Sequence, residues 1–200
     1  MYPTLLDTVT ARADSRFRAA EQLGAVLFVT VLTAVAAQIS IPLPFTPVPF
    51  TFQPMVVLLG AAALGPRLGL SSQILYLALG FAGLPVFAAS PVLPQGAGRL
   101  LGPTGGYLMA YPLAAFAAGW LAERGFDRRY VTAVVAMICG LAIVFAGGIL
   151  WLTIASTPSI GLSGALAAGF MPFIIPDLLK LLAAAAVMPG LWRITGSASR

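Results

Sequence analysis

The sequence has no histidine, a single cysteine and few charges: 11 Lys and Arg and six Asp and Glu, or 8% of 200 residues. Without histidine the usual general base and the commonest metal ligand are missing, and no Ser/His pair exists. Cys139 stands alone inside an apolar run, so no disulfide, thiol pair or cysteine-based zinc motif can be built, and it reads as a small buried apolar residue. A phosphate loop is also lacking. The nearest glycine run, GAGRLLGPTGG, has neither the lysine nor a preceding strand, so this chain carries no visible energy source for transport. A soluble domain usually carries ~25% charged residues, and a third of that cannot cover a soluble surface.

What is present is apolar length. Hydrophobic residues make up 60% of the chain and the mean hydropathy is +0.97, the composition of an integral membrane protein. The apolar runs are unbroken rather than alternating, which selects an all-α bundle over a β-barrel. Reading runs against breakers gives one membrane domain over 1–200: a cytoplasmic tail at 1–22, then six transmembrane helices at about 23–41, 55–64, 68–87, 104–121, 131–154 and 170–191. The second is too short to cross alone, so the proline-rich PLPFTPVPFTFQP between helices 1 and 2 is expected to be re-entrant. Pro172 and Pro176 fall in the first turns of the last helix, where a missing N–H costs least. In the tail, Leu5, Leu6 and Val9 fit either a short amphipathic helix or a frayed end, and no cleavable secretory signal is recognisable.

Charge placement gives the orientation. Arg12, Arg16, Arg18, Arg67, Arg124, Arg128, Arg129, Arg193 and Arg200 all fall on one side, which the positive-inside rule makes cytoplasmic, with both termini there. Asp7, Asp14, Glu21, Glu123 and Asp127 accompany them. The net +5 therefore sets topology and does not point to nucleic acid.

Three charges remain. Arg99 lies in an outer loop, and Asp177 and Lys180 lie within the last span, three residues apart and so on one helix face. An ionisable group inside a bilayer costs roughly 2.5 to 3.5 kcal/mol on insertion scales and marks a site facing the bundle interior. A carboxylate, an ammonium and a guanidinium together suit a small zwitterionic or carboxylate-bearing molecule; a purely internal brace is the alternative. Gly102 to Gly106 can present backbone N–H groups at the start of helix 4 or simply allow close helix approach, and Thr104 and Tyr107 add hydroxyls. Gln53 is a rare amide near the outer boundary, and Phe50, Phe52, Phe87 and Trp151 are candidates for apolar cavity walls or for interfacial aromatics.

The segments TPVPFTFQ (46–53), LGPRLG (64–69), YLALGFAGLPVF (76–87), GPTGGYL (102–108) and PFIIPDLLK (172–180), in this order and spacing, resemble the biotin-specific substrate-binding component, BioY, of energy-coupling-factor transporters. The likeness covers almost the whole chain after the tail. It implies a six-helix protein of a prokaryotic cytoplasmic membrane that captures biotin from outside, with Asp177 and Lys180 as vitamin contacts and Arg99, Gln53, Thr104 and Tyr107 as further candidates. It also implies no catalysis, no metal and no cofactor beyond the transported biotin. The implied partners are a transmembrane coupling subunit, docked through small residues on helix 1, and two ABC-type ATPases. The docking candidates are Thr30-x-x-x-Ala34 and Thr33-x-x-x-Ala37, which depart from the family's alanine pair. A self-sufficient proton-coupled carrier, and a component for a different vitamin, are the competing functions.

Overall fold

Proline and glycine place the breaks between helices, and the breaks place the site. The computed structural model describes residues 1–11, 15–90, 93–154 and 160–195, so Arg12, Asp14 and Arg200 lie outside the described residues. α1 (Leu5–Thr10) is a capped helix rather than a frayed end. Asp7 N donates to Thr4 Oγ1 at 3.1 Å while Asp7 Oδ2 accepts from Thr4 N at 3.0 Å, a reciprocal capping box. Its Leu5 and Leu6 pack against the bundle.

α2 (Arg18–Gln38) runs until the proline-rich stretch begins. Val26, Val29, Thr30, Thr33, Ala36 and Ala37 form its buried face, while Leu27, Phe28, Val31 and Val35 are exposed apolar residues, as befits a helix with lipid outside and protein inside. The docking candidates lie on or beside this buried face. Thr30 Oγ1 donates to Ser72 O at 3.0 Å, Thr33 Oγ1 donates to Val29 O at 2.8 Å, and Ala37 is fully buried. Ala34, partly buried, packs against the core. These small residues let α2 approach its own bundle.

After α2 the chain forms a two-residue antiparallel hairpin, β1 (Ser40–Ile41) with β2 (Phe50–Thr51), Ser40 opposite Thr51. The intervening residues 42–49 carry four prolines and form a strap whose Val48 is buried. α3 (Gln53–Leu64) and α4 (Pro66–Phe81) are joined at Gly65, whose φ of 83° is the left-handed conformation that glycine adopts without a Cβ penalty. The short α5 (Ala97–Leu101) precedes α6 (Gly105–Ala122), the central helix, which packs on α3, α4 and α7 (Tyr130–Ile154). Where α6 meets α7 the backbones touch. A Cβ at Gly147 would lie 2.9 Å from Gly106 O, and one at Gly106 would collide with Trp151 and Gly147 O. Close packing is thus what Gly106 provides.

The expected last span at 170–191 starts with a 3-10 turn, Met171–Phe173, and continues as α9 (Ile174–Ala185) and α10 (Val187–Ile194), with α8 (Gly161–Gly169) leading into it. Pro189 has no N–H for the carbonyl of Ala185, and α9 and α10 are separated at Ala186. Arg18–Gln38, Tyr130–Ile154 and the continuous stretch Gly161–Ile194 are long and apolar enough to cross a membrane; Gln53–Leu64 is a shorter apolar helix. Cys139, expected to be buried, is exposed on α7. A thiol in an apolar run is as compatible with a lipid-facing surface as with the core.

Candidate binding cavity

All six residues expected at the site line one cavity. Gln53 opens α3, Arg99 sits in α5, Thr104 and Tyr107 belong to the start of α6, and Asp177 and Lys180 project from α9. The cavity encloses about 590 Å³ of empty space, its mouth included. On α6 the cavity lining ends at Tyr111, so about 16 Å of helix separates it from the arginine-bearing loop after Ala122.

Lys180 and Asp177 form an ion pair across one helical turn. The ammonium also donates to Thr51 O at 2.6 Å and lies 3.9 Å from the centroid of the Phe50 ring, with Phe52 at 5.6 Å. A carboxylate, a carbonyl and two ring faces thus compensate a charge that burial alone would penalise. Phe50 and Phe52 therefore serve the lysine. Phe87 stacks edge-on with Tyr76 in the core, and Trp151 donates its indole N–H to Gly102 O at 2.9 Å. None of these four walls the cavity. That role falls to Tyr111, Phe145 and Phe173, which were not foreseen. Spacing of four residues from Tyr107 and from Asp177 could have pointed to Tyr111 and Phe173, whereas nothing local marks Phe145 on α7.

Arg99, expected in an outer loop, sits on the short α5 and is 1% exposed. Its Nε donates to Pro94 O at 2.9 Å and its Nη2 to Ala88 O at 2.6 Å and Leu93 O at 3.4 Å. Burial pulls the guanidinium down from its ordinary value, opposed by the nearby Tyr76. Its donor Nη1 meets no acceptor among the described residues, so the cavity contains a cation that is positioned but not used up.

The neutral groups divide in the same way. Gln53 Nε2 donates to Tyr76 Oη at 2.6 Å, and Tyr107 Oη donates to Gly169 O at 2.7 Å. Both fix the walls. Thr104 Oγ1, in contrast, is buried with no hydrogen-bond partner among the described residues. Near the end of α6 where sequence reasoning expected free amides, Gly105 N already donates to Gly102 O at 3.0 Å. Over the whole site lies the proline-rich strap. Val48, Pro49 and Thr51 line the cavity, and Thr46 Oγ1 ties the strap to Ala168 O on α8 at 2.6 Å.

An apolar helical bundle that encloses a cavity bearing one carboxylate, two cations and a free hydroxyl is a membrane protein built to hold a small polar molecule. The chain belongs to the BioY family, whose model matches residues 9–197. It is 40% identical over 161 residues to a probable biotin transporter BioY of Pyrococcus horikoshii, covering 80% of this chain and 90% of that one. It is also 40% identical over 158 residues to the biotin transporter BioY of Thermotoga maritima, covering 79% and 88%. The fold matches a crystal structure of the S-component for biotin from an ECF-type ABC transporter with a TM-score of 0.78, 27% identity, and coverage of 90% of this chain and 95% of that one.

Proposed function

We propose that this chain binds biotin and serves as the substrate-specificity subunit of an ATP-driven energy-coupling-factor transporter in a prokaryotic cytoplasmic membrane. The observation that carries the reading is the convergence of Asp177, Lys180, Arg99 and the unpartnered Thr104 hydroxyl on one cavity in a chain of this family. The arginine-rich end with both termini is cytoplasmic, six segments span the membrane, and the cavity faces outward under the strap. Energy comes from partners, a coupling subunit in the membrane and two ATPases. No catalytic step and no cofactor are assigned to this chain.

The pairing of groups in the cavity supports one orientation of the ligand. Asp177 and Lys180 are bonded to each other, so they meet the same part of the ligand. An acceptor beside a donor complements the ureido edge of biotin, where N–H adjoins C=O. Arg99 and Thr104 then receive the carboxylate, for which a guanidinium and a hydroxyl are fitting donors.

Labelled-biotin binding to the purified protein tests the reading: saturable binding is expected, and its absence ends the proposal. If D177N and K180A bound biotin normally but unfolded at lower temperature, the ion pair would be a brace. Uptake into vesicles lacking any ATPase and abolished by a proton uncoupler would replace the subunit reading with that of a carrier.

A further inference from the structure

At the end of the bundle remote from the cavity, the turn between α6 and α7 gathers three arginines around a second concavity. Arg124, Arg128 and Arg129, with Tyr2, Gly125 and Thr132, line an open cleft of about 710 Å³, its mouth included. Gly125 has a φ of 84°, and the tight reversal it permits brings residues on both sides of the turn to one depression.

The two acids of this turn do not line the cleft. Asp127 is 3% exposed and its Oδ2 accepts from Trp192 Nε1 at 2.6 Å, while its lining position is in a different, apolar void beside Met137 and Met188. Glu123 lies toward Gly65 on the other side of the turn. Two of the cations are held in place. Arg124 stacks 3.3 Å above the Trp120 ring and donates to Trp120 O at 2.9 Å. Arg128 lies 4.0 Å from the Trp192 ring and donates to Pro3 O at 3.2 Å. The cleft also adjoins the N-terminal end of the 25-residue α7, where the helix dipole adds positive potential. Positive-inside bias alone would be met by arginines pointing separately into water. Here they share a concave surface with no acid among the described residues that line it.

Position identifies the anion. Trp120 and Tyr130, about two-fifths to half exposed, flank the turn on the outer surfaces of α6 and α7, as aromatic residues do at headgroup level. We propose that this cleft binds the phosphodiester of an anionic glycerophospholipid headgroup, with Arg124 and Arg129 as its principal partners and Arg128 behind them. Each guanidinium near an anionic lipid surface contributes roughly fivefold to affinity. The leaflet follows from the orientation proposed above; the headgroup preference does not depend on it, nor on biotin.

The test uses full-length protein in nanodiscs of equal phosphatidylglycerol and phosphatidylcholine, with retained lipid counted by native mass spectrometry after release. The wild type is expected to retain phosphatidylglycerol preferentially. R124Q/R129Q, which spares the Arg128 contacts to Trp192 and Pro3, is expected to lose about tenfold or more of that preference. A thermal midpoint in detergent equal to that of the wild type reports that the variant is folded. A variant with unchanged preference would overturn the proposal. So would wild-type protein whose phosphatidylglycerol is displaced by inorganic phosphate at millimolar concentration, since the ligand would then be a free anion.

Discussion

Lys180 Nζ donates to the carbonyl of Thr51 at 2.6 Å while it is paired with Asp177, so one ammonium fastens the last long helical segment to the strand that closes the strap. Structural and ligand-binding roles overlap in this residue, and single substitutions mix them. A double-mutant cycle separates them. K180M leaves the Asp177 carboxylate buried without its cation and is expected to lose roughly 3–5 kcal/mol of stability, the usual cost of breaking a buried pair. D177N/K180M removes both charges and is expected to recover most of the melting temperature while remaining unable to bind biotin. Recovery of binding along with stability would show the pair to be a brace only.

Arg99 has one unused donor and a cavity before it, so the charge of the ligand should be felt there. Biotin methyl ester is expected to bind the wild type about tenfold or more weakly than biotin, the range for a charge-assisted hydrogen bond of ~1.5–3 kcal/mol. R99Q should bind the acid and the ester nearly alike, whatever the substitution does to the loop carbonyls. Competition binding with the two ligands measures the ratio. A ratio unchanged in R99Q and abolished in K180M would place the carboxylate at Lys180 instead.

Thr104 offers a cleaner probe because its hydroxyl has no protein partner among the described residues. T104V keeps the shape and removes a buried unsatisfied group. Its melting temperature in detergent should equal or exceed that of the wild type, with biotin affinity reduced roughly fivefold for one lost hydrogen bond of ~1 kcal/mol. A marked fall in stability with unchanged affinity would contradict the assignment.

The tie from Thr46 Oγ1 to Ala168 O holds the strap at its far end. T46V removes that bond, and the strap should open more often. Dissociation of labelled biotin is expected to accelerate by about fivefold, the kinetic equivalent of ~1 kcal/mol lost from the closed state. A chase with unlabelled ligand gives the rate directly.

Asp127 supplies a pH signature outside the spans. Burial raises its carboxyl pKa above the ordinary value, against the lowering effects of the Trp192 hydrogen bond and Arg128. Below the unfolded value of ~3.9 both states hold the proton. As pH rises past it, the unfolded chain releases its proton more readily than the native state, so this group's contribution to stability falls with rising pH until the native carboxyl has titrated. The stability of the wild type relative to D127N should therefore decline from acid to neutral pH, read as the difference between their thermal midpoints. A difference that grows with pH would mean that the carboxylate is the favoured form.

How much of this was legible in the sequence depended on the kind of signal. Charges are so scarce that Arg99, Asp177 and Lys180 stood out individually, and helical spacing put the last two on one face. Their convergence with Gln53, Thr104 and Tyr107 needed the fold, because four separate elements carry them. Apolar residues gave no such contrast. In a chain that is 60% hydrophobic, Phe145 in the cavity wall and Phe28 on the outer surface look alike, which is why the predicted aromatic walls were the wrong ones. Thr30 and Thr33 are ambiguous for a related reason: small residues mark close helix approach without saying which helix approaches. Asp127 read as a solvated loop acid because nothing local announces that Trp192, 65 positions on, will bond it.

Prolines at 42, 44, 47 and 49 give the strap over the cavity four residues with no backbone N–H to satisfy. In a low-dielectric setting each stranded amide hydrogen would carry a desolvation penalty whenever the cover shifted. A segment depleted of donors escapes most of that penalty in both closed and displaced positions, and its fixed φ angles leave little entropy to lose on settling. The composition that stops α2 thus also yields a cover with few backbone donors to leave unsatisfied over a membrane-embedded cavity.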